Sequence, residues 1–345
     1  MTLLSEIHEQ PERLAELLTQ QKNRIEEIAA WIRGRGVDYV FLAARGTSDN
    51  AGRYANYLWG SANGLPVALA TPSLFTFYKQ PPRLKNALVV GISQSGQSPD
   101  IVSVLDEAKR QNCPTLAITN APDSPLAKSA EQVLDIQAGR ELAVAASKTY
   151  TAELTAIAML SAALHGRAGQ WEALGRLPEW TSETLRLNSG VEQSAQRYRY
   201  MRQCVVLGRG YNYATAFEWA LKLKELTYVE AEPYSSADFQ HGPIAMIEPG
   251  FPVMAVAPTG KVLSTMKQAL VQLRGEFGAE LVIVSNQPSV LNLATTRLPI
   301  PKDVPEWLTP IVAILPAQLF AQQLASAKGY DTEKPRSIRK ITETH

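Results

Sequence analysis

Short apolar runs alternate with longer stretches of mixed polarity along this chain, and that alternation predicts most of its elements. Residues 1–35 carry many charges and read as helices without a strand. A β-rich run, Val37 to Ala43, ends at Arg45-Gly46-Thr47-Ser48, and a helical segment follows through Tyr57. Further strands are predicted at 67–70, 87–92, 115–119 and 132–135, with helical segments between most of them. Short buried strands alternating with amphipathic helices imply an α/β fold: a parallel sheet covered by helices on both faces.

The pattern then restarts. Cys204 to Gly210 repeats the earlier strand followed by Arg-Gly, and a helix is predicted from Tyr213 to Val229. Pro252 to Pro258 stands where the third strand stood, and Leu281 to Asn286 matches Thr115 to Asn120. The connector, about 168–195, reads as helical. A long apolar helix, Val312 to Ala327, precedes a polar tail from Asp331 to His345. Two copies of one α/β unit follow each other in the chain.

The copies differ at one loop. In the first, the apolar run 87–92 stops at Ser93-Gln94-Ser95-Gly96-Gln97-Ser98, and Pro99-Asp100 opens an amphipathic segment. Ser98 suits the N-cap and Pro99 the first helical position. Unpaired backbone N–H groups and the positive helix end face such a loop, and the serines add donors without bulk. A phosphate can be held this way without an arginine clamp. The second copy has Ala257-Pro258-Thr259-Gly260 there instead. The ligand is therefore expected at the strand ends of the first copy.

Composition narrows the function classes. The 345 residues are 45% hydrophobic and 19% charged, enough for two domains with sizeable cores. A net charge of +1 gives no reason to expect nucleic acid or a membrane surface as partner. Cys113 and Cys204 lie beside strand-like runs and read as buried, reduced thiols. The run Ala152 to Leu164 is too short to span a bilayer. With no leader-like start, a cytoplasmic protein is expected. Scattered histidines and cysteines imply no metal, and Arg45-Gly46-Thr47-Ser48 lacks the repeated glycines of a dinucleotide site, so no cofactor is expected.

A set of motifs resembles the tandem sugar isomerase (SIS) domain family. They are Arg45-Gly46-Thr47-Ser48, Ser93-Gln94-Ser95-Gly96, Val144-Ala145-Ala146-Ser147-Lys148, Leu207-Gly208-Arg209-Gly210, Ala220 to Glu225, His241-Gly242-Pro243 and Lys334-Pro335-Arg336 with Lys340 beyond. The chain is similar to the isomerase half of glucosamine-fructose-6-phosphate aminotransferases and, more closely, to SIS-type glucosamine-6-phosphate deaminases. That resemblance implies two three-layer α/β/α domains. The organisation it implies is N-terminal helices (1–35), a first SIS domain with the phosphosugar loop (36–167), the connector (168–195), a second SIS domain (196–330) and an active-site tail (331–345). The isomerase-like part begins directly after Met1-Thr2-Leu3-Leu4, with no glutaminase cysteine, so a glutamine-dependent amidotransferase is not expected.

The resemblance also assigns roles. Ser93, Gln94, Ser95 and Ser98 would take the phosphate, with Thr47 and Ser48 on the sugar's other side. Glu225 would carry a proton between C1 and C2, which suits a carboxylate whose pKa burial lifts. By its residues alone Glu225 reads first as a helical glutamate paired with Lys222 or Lys224; the match over Ala220 to Glu225 reverses that order. Glu218 is either a second carboxylate of the site or a structural partner of Lys222. His241, in an aperiodic loop, would open the sugar ring and reach the neighbouring subunit of a homodimer. Lys340 would approach the sugar carbonyl, or else be a solvated lysine beside Arg336 and Arg339. Ala145 and Ser147 belong to an alanine-rich loop whose backbone would face the sugar. His8, His165 and His345 read as surface residues. The implied reaction converts glucosamine 6-phosphate and water to fructose 6-phosphate and ammonia. The alternatives are a fructosamine-6-phosphate deglycase, another amino-sugar-phosphate isomerase, and a sugar-phosphate sensor without turnover.

Overall fold

A computed structural model describes residues 2–166 and 169–340. The described chain forms two compact units, one comprising 12–141, 148–176 and 339–340, the other 2–11, 142–147 and 177–338. The division falls inside the first helix, at Pro11.

The first unit contains the later part of α1 (Leu3–Gln20), then α2 (Lys22–Arg33), β1 (Tyr39–Ala43), α3 (Gly46–Asn63), β2 (Val67–Leu69), α4 (Ser73–Thr76), β3 (Ala87–Ile92), α5 (Pro99–Arg110), β4 (Thr115–Thr119), α6 (Pro125–Lys128), β5 (Gln132–Asp135), α7 (Lys148–His165) and α8 (Gln170–Gly175). Its five strands are parallel, in the order β2-β1-β3-β4-β5. β3 is buried at every residue, as the continuous apolar run requires. One face packs on Val104, Leu105 and Leu126; α7, buried nearly all round, packs with α2 and α3.

The second unit continues with α9 (Leu177–Leu187), α10 (Val191–Gln196), β6 (Gln203–Gly208), α11 (Tyr213–Thr227), β7 (Glu230–Ser235), α12 (Ser236–Phe239), β8 (Pro252–Val256), α13 (Leu263–Gly275), β9 (Glu280–Ser285), α14 (Pro288–Leu291), β10 (Thr296–Pro299) and α15 (Thr309–Ala327). Its sheet runs β10-β9-β8-β6-β7, again parallel throughout. Taking β6 as the counterpart of β1, this is the strand order of the first sheet, so the internal duplication extends to topology. Among the described residues, the segment long and apolar enough to cross a membrane is Glu306–Ala327, not the α7 run, and 94% of its window is buried inside the fold. It is the core helix against which α9, α10 and α11 pack.

Several sequence expectations shift. β7 and β10 were not anticipated. Both are edge strands, and β7 carries Pro233, which an edge tolerates because the missing N–H breaks no inner ladder. The helix expected to reach Val229 stops at Thr227, because Tyr228 turns left-handed at φ 55°. The stretch around His241 is not wholly a loop: α12 makes one turn, with Ser235 Oγ accepting the Ala237 N–H at 3.3 Å.

Candidate active site

In a sheet of this order the crevice for ligands opens between β1 and β3, where the connections leave in opposite directions. The loop Ser93–Ser98 and the start of α3 flank it. Ser93 N–H donates to Ile118 O at 3.1 Å, and its Oγ accepts the Gly96 N–H at 3.1 Å, so the loop curls back at once. Gly96 has φ +60°, and a Cβ there would fall 2.0 Å from Ser124 Oγ. Only glycine permits this curl. Ser98 stands at the N-cap position of α5 with extended backbone, but its hydroxyl makes no capping bond, so the expected cap is absent. Pro99 does occupy the first turn. The Ser98 and Ser95 side chains keep partial exposure; Ser93 is buried. Ser48 is also buried and donates to the Glu153 carboxylate on α7 at 2.8 Å, which fixes its hydroxyl. Thr47 next to it is half-buried.

The same crevice in the second unit is filled. Gly260 lies so close to Glu306 that a Cβ would sit 2.2 Å from Oε1, and the Lys261 N–H donates to that oxygen at 2.8 Å. The residual cavity, bounded by Arg209, Asn212 and Glu306 among others, is about 10 Å³. That is room for one water at most. An internal carboxylate occupies the place that an anion would take.

Glu225 lies in the last turn of α11. Lys222 Nζ sits 2.5 Å from its Oε2 and 3.3 Å from Glu218 Oε1, so the structure selects Lys222 over the exposed Lys224 as its partner. Lys222 is 2% exposed and Glu218 fully buried, whereas the Glu225 side chain keeps 24% exposure. Burial alone would push the Lys222 ammonium down, but the charges of Glu225 and Glu218, and their hydrogen bonds, push it above the ordinary lysine range. The ammonium is a fixed strut that ties the buried Glu218 to the half-solvated Glu225. His241 is exposed in the turn after α12.

The alanine-rich loop is held from behind. The Glu6 carboxylate on α1 accepts the Leu142 N–H at 2.6 Å and the Ala143 N–H at 3.2 Å. At the other end Gln318 on α15 donates to Ser147 O at 3.3 Å, and Gln10 donates to Gln318 at 2.8 Å. The side chains of Ala145 and Ser147 are buried, while those of Val144 and Ala146 keep partial exposure.

The tail is fastened twice. In the second unit the Arg336 N–H donates to Tyr228 Oη at 2.8 Å, and its guanidinium stands 4.5 Å over the Tyr228 ring and 5.3 Å over Tyr330. In the first unit Lys340 Nζ meets Glu141 Oε2 at 2.5 Å. Glu141 is completely buried and also accepts the Thr149 N–H (3.2 Å) and hydroxyl (2.8 Å). Lys340 is therefore not a solvated tail lysine.

The model of the SIS domain matches twice, over residues 36–163 and 198–327. The chain belongs to the SIS domain family. A relative in Pyrococcus horikoshii, glutamine–fructose-6-phosphate aminotransferase [isomerizing], is 32% identical over 343 residues, covering 98% of this chain and 57% of that protein. The chain thus spans little more than half the length of the curated relatives it matches. Among solved structures, a Silicibacter pomeroyi protein proposed to be a phosphosugar isomerase is 33% identical, with TM-score 0.86 and coverage of 96% and 100%. The C-terminal domain of glucosamine-fructose-6-phosphate aminotransferase from Francisella tularensis superposes with TM-score 0.87 at 26% identity, covering 96% of this chain and 98% of that one.

Within this SIS chain the sequence reading missed the carboxylates that position the expected residues: Glu6, Asp100, Glu141 and Glu153. Each is 6% exposed or less. A lone acidic residue between apolar neighbours was the available signal, as with Glu153 inside the apolar α7. Both cysteines are buried and free, and burial raises their thiol pKa values, which keeps them inert. His8 is exposed and His165 half-exposed; His345 lies outside the described residues.

Proposed function

We propose that this SIS-family chain is an isomerising deaminase that converts glucosamine 6-phosphate and water to fructose 6-phosphate and ammonia. The observation that carries the reading is the asymmetry of the two crevices. The first has a hydroxyl-lined loop at a helix start; the second is plugged by Glu306. Identity above 30% to isomerising aminotransferases supports an amino-hexose phosphate and C1/C2 chemistry.

In this reading the 6-phosphate rests on Ser93, Gln94, Ser95 and Ser98. His241, proposed to come from a second copy of the chain, helps open the ring. Glu225 removes the C2 proton of the open-chain amino aldehyde and returns it to C1, which leaves an imine at C2. Water adds to that carbon, the C–N bond breaks, and ammonia leaves with the ketose. The Lys222 strut keeps the Glu225 carboxylate in one place while its exposed edge meets substrate. The backbone of the loop 143–147 faces the sugar hydroxyls, and Glu141 holds the Lys340 amine ready for the carbonyl end.

The test is a substrate panel on purified protein without added cofactor. Ammonia and fructose 6-phosphate should appear in equal amounts from glucosamine 6-phosphate. Release only from fructosamine 6-phosphate would make the protein a deglycase. Binding without any product would make it a sensor.

A further inference from the structure

The serine loop needs no arginine to hold a phosphate, yet the fold puts one beside it. Arg45 is the last residue before α3, at the end of β1, with extended backbone at φ −138° and ψ 154°. Its Nε donates to Asp100 Oδ2 at 2.8 Å. Asp100 is 1% exposed and rigid: its other oxygen accepts the Ile101 N–H at 2.9 Å, and it sits in the first turn of the helix that the serine loop opens. The Arg45 side chain is nevertheless 49% exposed. Among the described residues Asp100 is the one hydrogen-bond partner of its guanidinium. A guanidinium has five N–H donors in a planar fork, so this arrangement spends one edge on positioning and leaves the Nη groups available. The nearby Asp49 is engaged by Arg53 at 3.0 Å.

The duplicated half is an internal control. Arg209 holds the same place after β6, with φ −152° and ψ 153°. Among the described residues it hydrogen-bonds no carboxylate: its Nη1 donates to Thr265 Oγ1 at 3.3 Å, and its crevice is closed by Glu306. Among the described residues, arginine, supporting carboxylate and serine loop occur together in the first unit alone.

We propose that Arg45 is a phosphate-binding residue of the first crevice, its Nη groups donating to the 6-phosphate while Asp100 fixes their direction. This rests on the phosphosugar reading of that crevice and adds to it a charged, direction-giving contact. The ligand class is a hexose bearing a terminal phosphate dianion, to which this guanidinium adds a charge-assisted contact beside the serine loop.

The experiment measures affinity for sorbitol 6-phosphate by calorimetry, because this hexitol has no carbonyl and cannot turn over. Arg45→Gln should weaken it about 10- to 100-fold and raise KM for glucosamine 6-phosphate by the same factor, with kcat within about threefold. Arg45→Lys should recover part of the loss, since the charge returns without the fork. Asp100→Asn should lose less than Arg45→Gln, because the guanidinium remains. A thermal melt confirms that each variant is folded. Affinity of Arg45→Gln within twofold of the wild type overturns the proposal while the phosphosugar reading stands. Equal losses in Asp100→Asn and Arg45→Gln, with no rescue by lysine, also overturn it and make Arg45 a tie between two loops. Wild-type protein that binds no hexose phosphate at all removes the phosphosugar reading and the proposal together.

Discussion

Replacing Lys222 by methionine keeps most of the length of the side chain and removes its charge. The site is close to dry: Lys222 is 2% exposed, and Glu218, 3.3 Å away, is fully buried. Depriving a buried carboxylate of its ammonium costs about 3–5 kcal/mol, because the charge stays in a medium that solvates it poorly. The second carboxylate, Glu225, keeps 24% exposure, and water replaces part of what it loses, so its share is about 1 kcal/mol or less. At roughly 2–4 °C per kcal/mol for a domain of this size, Lys222→Met should lower the melting transition of the second unit by about 6–24 °C. The pairing raises the lysine pKa, so its contribution is complete below the ordinary lysine value and is lost only as pH rises through the higher folded value. The deficit of the variant should therefore be constant from about pH 6 to pH 9, well below that range. The assay is calorimetric unfolding of the wild type, Lys222→Met and Glu218→Gln/Lys222→Met. The double variant should regain most of the loss, since no buried charge is left over. A single variant within about 2 °C of the wild type, or a double variant no better than the single, would refute the strut.

Two further outcomes follow from the first unit. Gly96→Ala meets both a left-handed backbone and Ser124 Oγ at 2.0 Å, so it should cost at least about 2 kcal/mol in denaturant unfolding and abolish sorbitol 6-phosphate binding; unchanged binding contradicts the loop geometry. Glu141→Gln removes the charge that holds Lys340 and should speed tryptic cleavage after Arg339 and Lys340 severalfold, with kcat falling about 100-fold; an unchanged cleavage rate would mean that Glu141 does not fasten the tail.

The sheets were legible where burial was complete on both faces. The strands 87–92 and 115–119 coincide with the apolar runs, because a strand covered by helices on both sides has no polar face to blur its ends. The edges of the second sheet, β7 and β10, were not legible. Glu230 and Glu232 alternate with buried or half-buried positions, and Pro233 reads as a break unless the strand is known to lie at a border. α3 extends to Asn63 rather than Tyr57, because Gly60, Ser61 and Asn63 read as loop while Trp59 and Asn63 in fact bond to α7. The candidate residues themselves stood in recognisable motifs. Their supports did not, since a carboxylate such as Glu141 becomes a holder only through Lys340, 199 positions away in the chain. No local period encodes such a pair.

In the proposed reaction Glu225 shuttles hydrogen between C1 and C2 of a bound amino-sugar phosphate. The most direct measurement is turnover of glucosamine 6-phosphate deuterated at C2 by the wild type and by Glu225→Gln, with sorbitol 6-phosphate affinity measured on both. A primary isotope effect is expected in the wild type, and in the variant a loss of about 100- to 10,000-fold in kcat at unchanged affinity. A Glu225→Gln variant that releases ammonia at the wild-type rate would contradict that role.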